Sequence, residues 1–316
     1  MIRWTRLAAA CAFAALSSAA VAAPAELTIM APAAPGGGWD QTARSMQSVL
    51  QEAGIVGNVQ VVNVPGAGGT IGLAQFVNDD KGNATKLIVG GYVMVGAIIA
   101  NKSPVSLADV TPLARLTGEY DAIVVPKNSP IQSMADLVEK LKADPGSVSW
   151  AGGSAGGVDH IAVGLIAKAV GVDPTRINYI PFSGGGEALA AILGGQVTAG
   201  ISGYGEFEGQ VKAGELRLLA LTGGPDGPDT PTLKSQGIDV DVQNWRMVAA
   251  APGITDAEKA DLVATITAMA NSDQWKAVLA AKGWQNTFLA GDEFSAYLDG
   301  QVKATTEVLK DVGIAQ

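Results

Sequence analysis

The chain has 316 residues, with 21 basic and 30 acidic side chains and a formal charge of −9 at neutral pH. An acidic surface of this kind repels nucleic acid and anionic membranes, so neither is an expected partner. Histidine and cysteine occur once each, which excludes a His/Cys-rich metal centre and a disulfide framework. Hydrophobic residues make up 48% of the chain, and a chain of this length buries an adequate core without disulfides.

Arg3 and Arg6 precede an apolar stretch from Leu7 to about Leu16, and small residues follow, ending Ala20-Val21-Ala22. This pattern predicts a secretory signal peptide over residues 1–22, cleaved after Ala22. The apolar stretch is too short to span a bilayer. Cys11 lies inside it with too little apolar sequence upstream for a lipid-attachment signal. Cleavage leaves no cysteine and 19 basic against 30 acidic residues, a formal charge of −11.

From there one unit recurs: an apolar strand, a Gly/Ser loop, then a helix. Leu27-Thr28-Ile29-Met30 leads into Pro35-Gly36-Gly37-Gly38-Trp39-Asp40 and a helical pattern of Ala43, Met46, Val49, Leu50 and Ala53. Val59–Val64 leads into Pro65-Gly66-Ala67-Gly68-Gly69-Thr70, and Lys86–Gly90 into Gly91-Tyr92-Val93-Met94. Tyr120–Pro126 reads as a strand crossing from one lobe to another, followed by a helix over Met134–Ala143 with Ser133 as its N-cap. Three more units follow, with loops at Gly152–Gly157, Ser183–Gly186 and Ser202–Gly205. Leu216–Thr222 is a strand, Gly223–Pro231 an exposed Gly/Pro/Asp loop, and Val242–Ala249 the return crossing. Helix patterns occupy 255–271, 272–282 and 291–312.

These alternations predict an α/β architecture with largely parallel sheets. Two crossings imply two lobes, residues 23–122 plus 246–316 and residues 123–245, with a cleft between them. Ligands of open α/β sheets bind beyond the carboxyl ends of the strands, where all the glycine loops lie. Glycine admits close backbone approach, and the first N–H groups of a helix have no partner inside it and carry partial positive charge. Each loop is therefore either a tight turn or a cup for an anion. The loops hold no lysine or arginine, so an anion would be held by backbone N–H groups and by the hydroxyls of Thr70, Ser154, Ser183 and Ser202. Trp39, Tyr92 and Tyr204 either wall the cleft or belong to the core. Asp40, Asp159 and Glu187 follow glycine loops, where a carboxylate would repel an anion; helix-start stabilisation suits them better.

Two motifs suggest other chemistry. Gly66-Ala67-Gly68-Gly69-Thr70-Ile71-Gly72 follows a strand as a dinucleotide loop does, but the next strand ends Ile88-Val89-Gly90-Gly91 and offers no side chain for a ribose. Gly152-Gly153-Ser154-Ala155-Gly156 has the spacing of a nucleophile elbow. The single histidine, His160, sits six residues after Ser154 on the same expected helix, a poor position for a base. A secreted serine hydrolase using Ser154 is thus the alternative to a binding protein, and a ligand-presenting sensory receptor is another. No cofactor or metal is expected.

Pro35-Gly36-Gly37-Gly38-Trp39-Asp40-Gln41-Thr42-Ala43-Arg44 and Asn63-Val64-Pro65-Gly66-Ala67-Gly68-Gly69-Thr70-Ile71-Gly72 resemble the two signature loops of the extracytoplasmic receptors of tripartite tricarboxylate transporters. The loops Ser154-Ala155-Gly156-Gly157 and Pro181 to Gly186, and Leu193-Gly194-Gly195-Gln196-Val197, also fit. The resemblance covers the whole mature chain, and the Gly-Gly-Gly-Trp-Asp form is most similar to the tricarboxylate-binding branch. It implies a type II periplasmic-binding-protein fold that closes on a carboxylate, citrate-like or dicarboxylic. It also implies a monomeric periplasmic protein that delivers its ligand to a large and a small membrane subunit. Carried over, the ligand contacts are Gly36, Gly37, Gly38 and Trp39; Ala67, Gly68, Gly69 and Thr70; Ser154, Ala155, Gly156 and Gly157; and Ser183, Gly184 and Gly185. Ser183-Gly184-Gly185-Gly186 departs from the Lys-Gly form of many relatives, which leaves the far end of the ligand open.

Overall fold

The computed structural model describes residues 24–225 and 227–315; the expected signal peptide and Cys11 lie outside the described residues. The first lobe begins with β1 (Glu26–Ala31), α1 (Gly38–Glu52), β2 (Asn58–Asn63), α2 (Thr70–Asp79), β3 (Lys86–Gly91) and α3 (Tyr92–Ala100). The long strand β4 (Thr111–Pro126) leads into α4 (Met134–Ala143), β5 (Ser149–Gly152), α5 (Val158–Ala169), β6 (Asn178–Pro181), α6 (Gly185–Leu193), β7 (Ala199–Gly203), α7 (Tyr204–Lys212) and β8 (Leu216–Leu221). The chain returns along β9 (Gln243–Ala250) and ends with α8 (Asp256–Asn271), α9 (Asp273–Lys282), β10 (Gln285–Ala290) and α10 (Gly291–Asp311).

Helix α1 shows why the local pattern succeeds. Its buried residues include Trp39, Ala43, Met46, Val49 and Leu50, one stripe at three- and four-residue steps. That stripe packs into a core with Ile29, Leu73, Phe76, Leu87, Met247, Trp275 and Phe294. The other lobe has its own cores, one around Ile123, Trp150, Ile166 and Leu219 and one around Val124, Ile192, Phe207 and Leu216.

The strands run in the order β2-β1-β3-β9-β4-β7-β5-β6, with β8 and β10 also pairing to β4. Within each lobe the βα units are parallel: β2 and β3 flank β1, and β6 and β7 flank β5. Every pair involving β4 or β9 is antiparallel. The sheets are therefore mixed, not largely parallel as the alternation predicts. Strands that travel between lobes enter each sheet against the direction of its βα units. Strand β4 changes partner along its length: Thr111–Tyr120 pairs with β9, and Asp121–Val124 with β7. It starts well before the expected Tyr120, because Thr111 to Glu119 finds partners in β9 and β10. Strand β10 was not anticipated; it is half-exposed, with no strong period of its own, and exists by pairing antiparallel with β4. Among the described residues, no helix is long and apolar enough to cross a membrane.

Candidate functional site

The helices divide by how they begin. Helices α4, α8 and α9 are capped by the side chains of Ser133, Thr255 and Ser272. Helices α1, α2, α3, α5, α6 and α7 start at Gly37, Gly69, Gly91, Gly157, Gly184 and Gly203, none with a side-chain cap. A Ser or Asp cap would occupy one of the orphan N–H groups and contribute about 1 kcal/mol; glycine forgoes little of that and leaves the donors open. All six of these units contribute to one interlobe cavity of about 80 Å³. One water requires roughly 10–15 Å³, so this space accepts several waters or a small molecule.

Gly37, Gly38 and Trp39 bring the start of α1 to the cavity, and Gly66 to Gly69 the start of α2. Ser154 and Ser183 to Gly185 face them from the other lobe. The lobes approach closely here: a Cβ on Gly68 would press on Ala97 and lie 3.3 Å from Ser154 Cβ. Gly68 has φ +63°, which L side chains rarely adopt.

The chain's own acids take some loop N–H groups. Asp40 accepts from Gly36 N at 2.8 Å, from Arg44 Nε at 2.9 Å and from Asn63 Nδ2 at 2.9 Å. Burial opposes its charge, but the Arg44, Gly36 and Asn63 hydrogen bonds prevail and hold its carboxyl below the ordinary value. Asp159 accepts from Gly153 N at 2.6 Å, and Glu187 from Ser183 N at 3.0 Å.

The floor of the cavity is polar. Arg246 on β9 forms a buried ion pair with Glu119 of β4 and lies 5.0 Å from the Trp284 ring. Its Nη1 has no hydrogen-bond partner among the described residues. Glu206 of α7 accepts the Ser202 hydroxyl at 2.6 Å. Burial, then the charge of Glu119, pushes the Glu206 carboxyl up to about 7. Asp121 is fully buried beside Asp159, and no donor among the described residues reaches either of its oxygens. Burial raises both of these carboxyls.

The tripartite tricarboxylate transporter family receptor model matches residues 42–314. The chain belongs to this family. Protein BugT of Bordetella pertussis is 26% identical over 318 residues, 94% of this chain and 95% of the relative. A Cupriavidus necator protein, UPF0065 protein in gbd 5'region, is 27% identical over 82% of this chain and 79% of its own. Among solved structures, the periplasmic binding protein BugD superposes with a TM-score of 0.82 at 21% identity, covering 92% of this chain and 98% of BugD. MatC of Rhodopseudomonas palustris, solved with malate, gives 0.77 at 21% identity, covering 90% and 98%. Another R. palustris protein, solved with adipate, gives 0.81 at 23% identity, covering 92% and 98%. At these identities the structures establish the two-lobed type II fold.

Of the residues to which the sequence points, this receptor brings Gly37, Gly38, Trp39, Ala67, Gly68, Gly69, Ser154, Ser183, Gly184, Gly185 and Ser202 to the cavity. The others are not among its lining residues. Gly36 is exposed and its N–H goes to Asp40. The Thr70 hydroxyl donates to Ala67 O at 2.9 Å, closing its own turn. Tyr92 stacks 6.1 Å from Trp245 on the core side of α3. Ala155 borders an adjoining cavity of about 270 Å³ that shares Ala67, Ser154 and Ser183 with the first. Gly156 packs so tightly on Gly96 that a Cβ on Gly96 would strike its carbonyl, and Gly157 N bonds Ser154 O at 2.9 Å. Tyr204 caps no part of the cavity and sits half-buried at the outer start of α7. His160 accepts Gly156 N–H at Nδ1 and stacks 4.2 Å from Tyr179. Burial lowers its pKa to about 4, so it is neutral and structural, with no hydrogen bond to Ser154.

Pro32, Ala33, Gly66, Val93, Gly153, Asp159, Glu206, Asn244 and Arg246 line the cavity without having been singled out as ligand contacts. For Arg246 there was a signal. It is a lone charge inside Trp245-Arg246-Met247-Val248-Ala249, and a charge in a buried strand needs a purpose.

Proposed function

We propose that this receptor captures a small carboxylate, a di- or tricarboxylate such as citrate, in the periplasm after loss of residues 1–22. It hands the ligand to the large and small membrane subunits of a tripartite transporter. In this reading the lobes are residues 23–122 with 246–316 and residues 123–245; the exchange of β9 for β7 as the partner of β4 between Tyr120 and Asp121 supports the first division. The ligand contacts are Gly37 to Trp39, Ala67 to Gly69, Ser154, Ser183 to Gly185 and Ser202.

The observation that carries this reading is the convergence of glycine-started helices on one interlobe cavity. Open helix N-termini favour an anion. The malate and adipate bound to the two R. palustris neighbours support it. Hydrogen bonds to a charged group contribute roughly 1.5–3 kcal/mol each, and micromolar binding needs about 8 kcal/mol net. Donors from both lobes are therefore needed, which couples capture to lobe closure. Family and fold are those of solute-binding receptors, and the single histidine, His160, bonds Gly156 N and stacks on Tyr179.

Thermal unfolding against citrate, malate, succinate and adipate tests the reading. A ligand at 100 times its dissociation constant adds about 2.7 kcal/mol, a rise of several degrees in Tm. Protein stripped of bound ligand by refolding that shows no shift with any carboxylate refutes it.

A further inference from the structure

In the second lobe one of the chain's own acids stands beside the glycine clamp at α6. Glu206 Oε2 stands directly over Gly185, where any Cβ would collide with it. The chain's own carboxylate thus lies at the start of α6, where a ligand carboxylate was expected. The charged groups around it come from every neighbouring element: Glu119 and Asp121 on β4, Asp159 on α5 and Arg246 on β9. Glu208 on its own helix and Lys282 on α9 border an adjoining side cavity of about 130 Å³. Around the floor, four carboxyl groups face one guanidinium, which Glu119 already pairs. A dianion entering this floor meets net negative charge unless a proton arrives with it. Yet the floor also holds a buried cationic donor, Arg246 Nη1, that lacks an acceptor among the described residues. An unpartnered buried donor costs about 1–3 kcal/mol, more when charged, and an oxygen from the ligand would relieve it.

Resting on the carboxylate-receptor reading, we propose that Glu206 determines specificity at the far end of the ligand. In its protonated form it donates to a second carboxylate, which also accepts from Arg246 Nη1, so capture of a dicarboxylate takes up one proton. The balance is simple: the ionised Glu206, one solvent proton and the dianion give a Glu206 carboxyl hydrogen-bonded to the bound dianion. No covalent bond changes. Near neutral pH the proton comes at little cost, because burial and Glu119 already hold the Glu206 carboxyl at about 7.

Isothermal titration with malate and adipate between pH 6 and 9, in buffers of differing ionisation heat, tests this. Above neutrality the expected uptake is one proton per ligand, and Kd rises tenfold per pH unit, about thirtyfold by pH 8.5 relative to pH 6. The monocarboxylate butyrate takes up none. Glu206→Gln carries a permanent donor, so its Kd loses this pH dependence and it binds dicarboxylate about tenfold or more tightly than wild type at pH 8.5. Should that variant not fold, the wild-type proton count decides alone. Dicarboxylate binding with a flat Kd and no proton uptake overturns the proposal and leaves the carboxylate reading standing. So does tighter binding of aspartate than malate with proton release, which would mean that ionised Glu206 pairs with an ammonium. If no carboxylate binds at any pH, the carboxylate reading itself falls.

Discussion

Replacing Gly38 by alanine probes the contact on which the cavity floor depends. Gly38 is the first residue of α1, and its φ is not in the left-handed region, so alanine meets no backbone strain. The new Cβ would overlap Arg246 Nη2 and lie 2.9 Å from Cζ and 3.2 Å from Nε. A flexible exposed arginine would move aside. This one is 4% exposed, with its guanidinium held by Glu119 and the Trp284 ring. Overpacking of this kind costs about 1–3 kcal/mol. If Arg246 contributes one charged hydrogen bond to the ligand, its displacement forfeits roughly 1.5–3 kcal/mol, a 10- to 150-fold loss of affinity. Calorimetric titration with malate or adipate measures the affinity, and urea unfolding the stability. Gly186→Ala is the control: a Cβ there meets nothing within 4 Å. It should leave affinity unchanged and gain up to about 1 kcal/mol in helix α6. Wild-type affinity in Gly38→Ala would refute the placement of Arg246 at the ligand.

Gly68→Ala should lose roughly 1–2 kcal/mol from its left-handed backbone alone, with further loss from the Ala97 contact. It should also weaken binding at least tenfold by pushing the α2 loop off Ser154; an unchanged urea midpoint and Kd would contradict this. The unliganded protein should be less stable at neutral than at mildly acid pH through Glu206. The folded state holds that proton up to about 7, whereas the unfolded chain releases it near 4.5. Stability from this group is therefore full below 4.5 and is lost as pH rises to about 7. Urea midpoints across that window should show a flatter profile in Glu206→Gln than in wild type. Parallel profiles would place the Glu206 proton elsewhere.

What the sequence by itself determined is local. Leu27 to Met30 followed by Gly36 to Gly38 and the stripe Ala43, Met46, Val49 and Leu50 specify strand, loop and helix within a span of a few turns. The same holds for the loops at Gly66 and Gly184, because glycine, strand ends and helix starts act on residues three or four apart. The resemblance of two of those loops to known receptors then carried the fold. Only the tertiary structure decided what lies opposite them. Arg246 meets Gly38 because β9 pairs with both β3 and β4, and Glu206 reaches Gly185 because α7 leaves β7 beside α6. The same packing turned Gly36, Thr70, Tyr92 and Gly157 away from the cavity, each satisfied by a neighbour in its own loop or core. Strand β10 had the same status, made a strand only by β4. Periodicity encodes which face of an element is buried; which distant face buries it depends on strand order and register, and these are set by the whole chain.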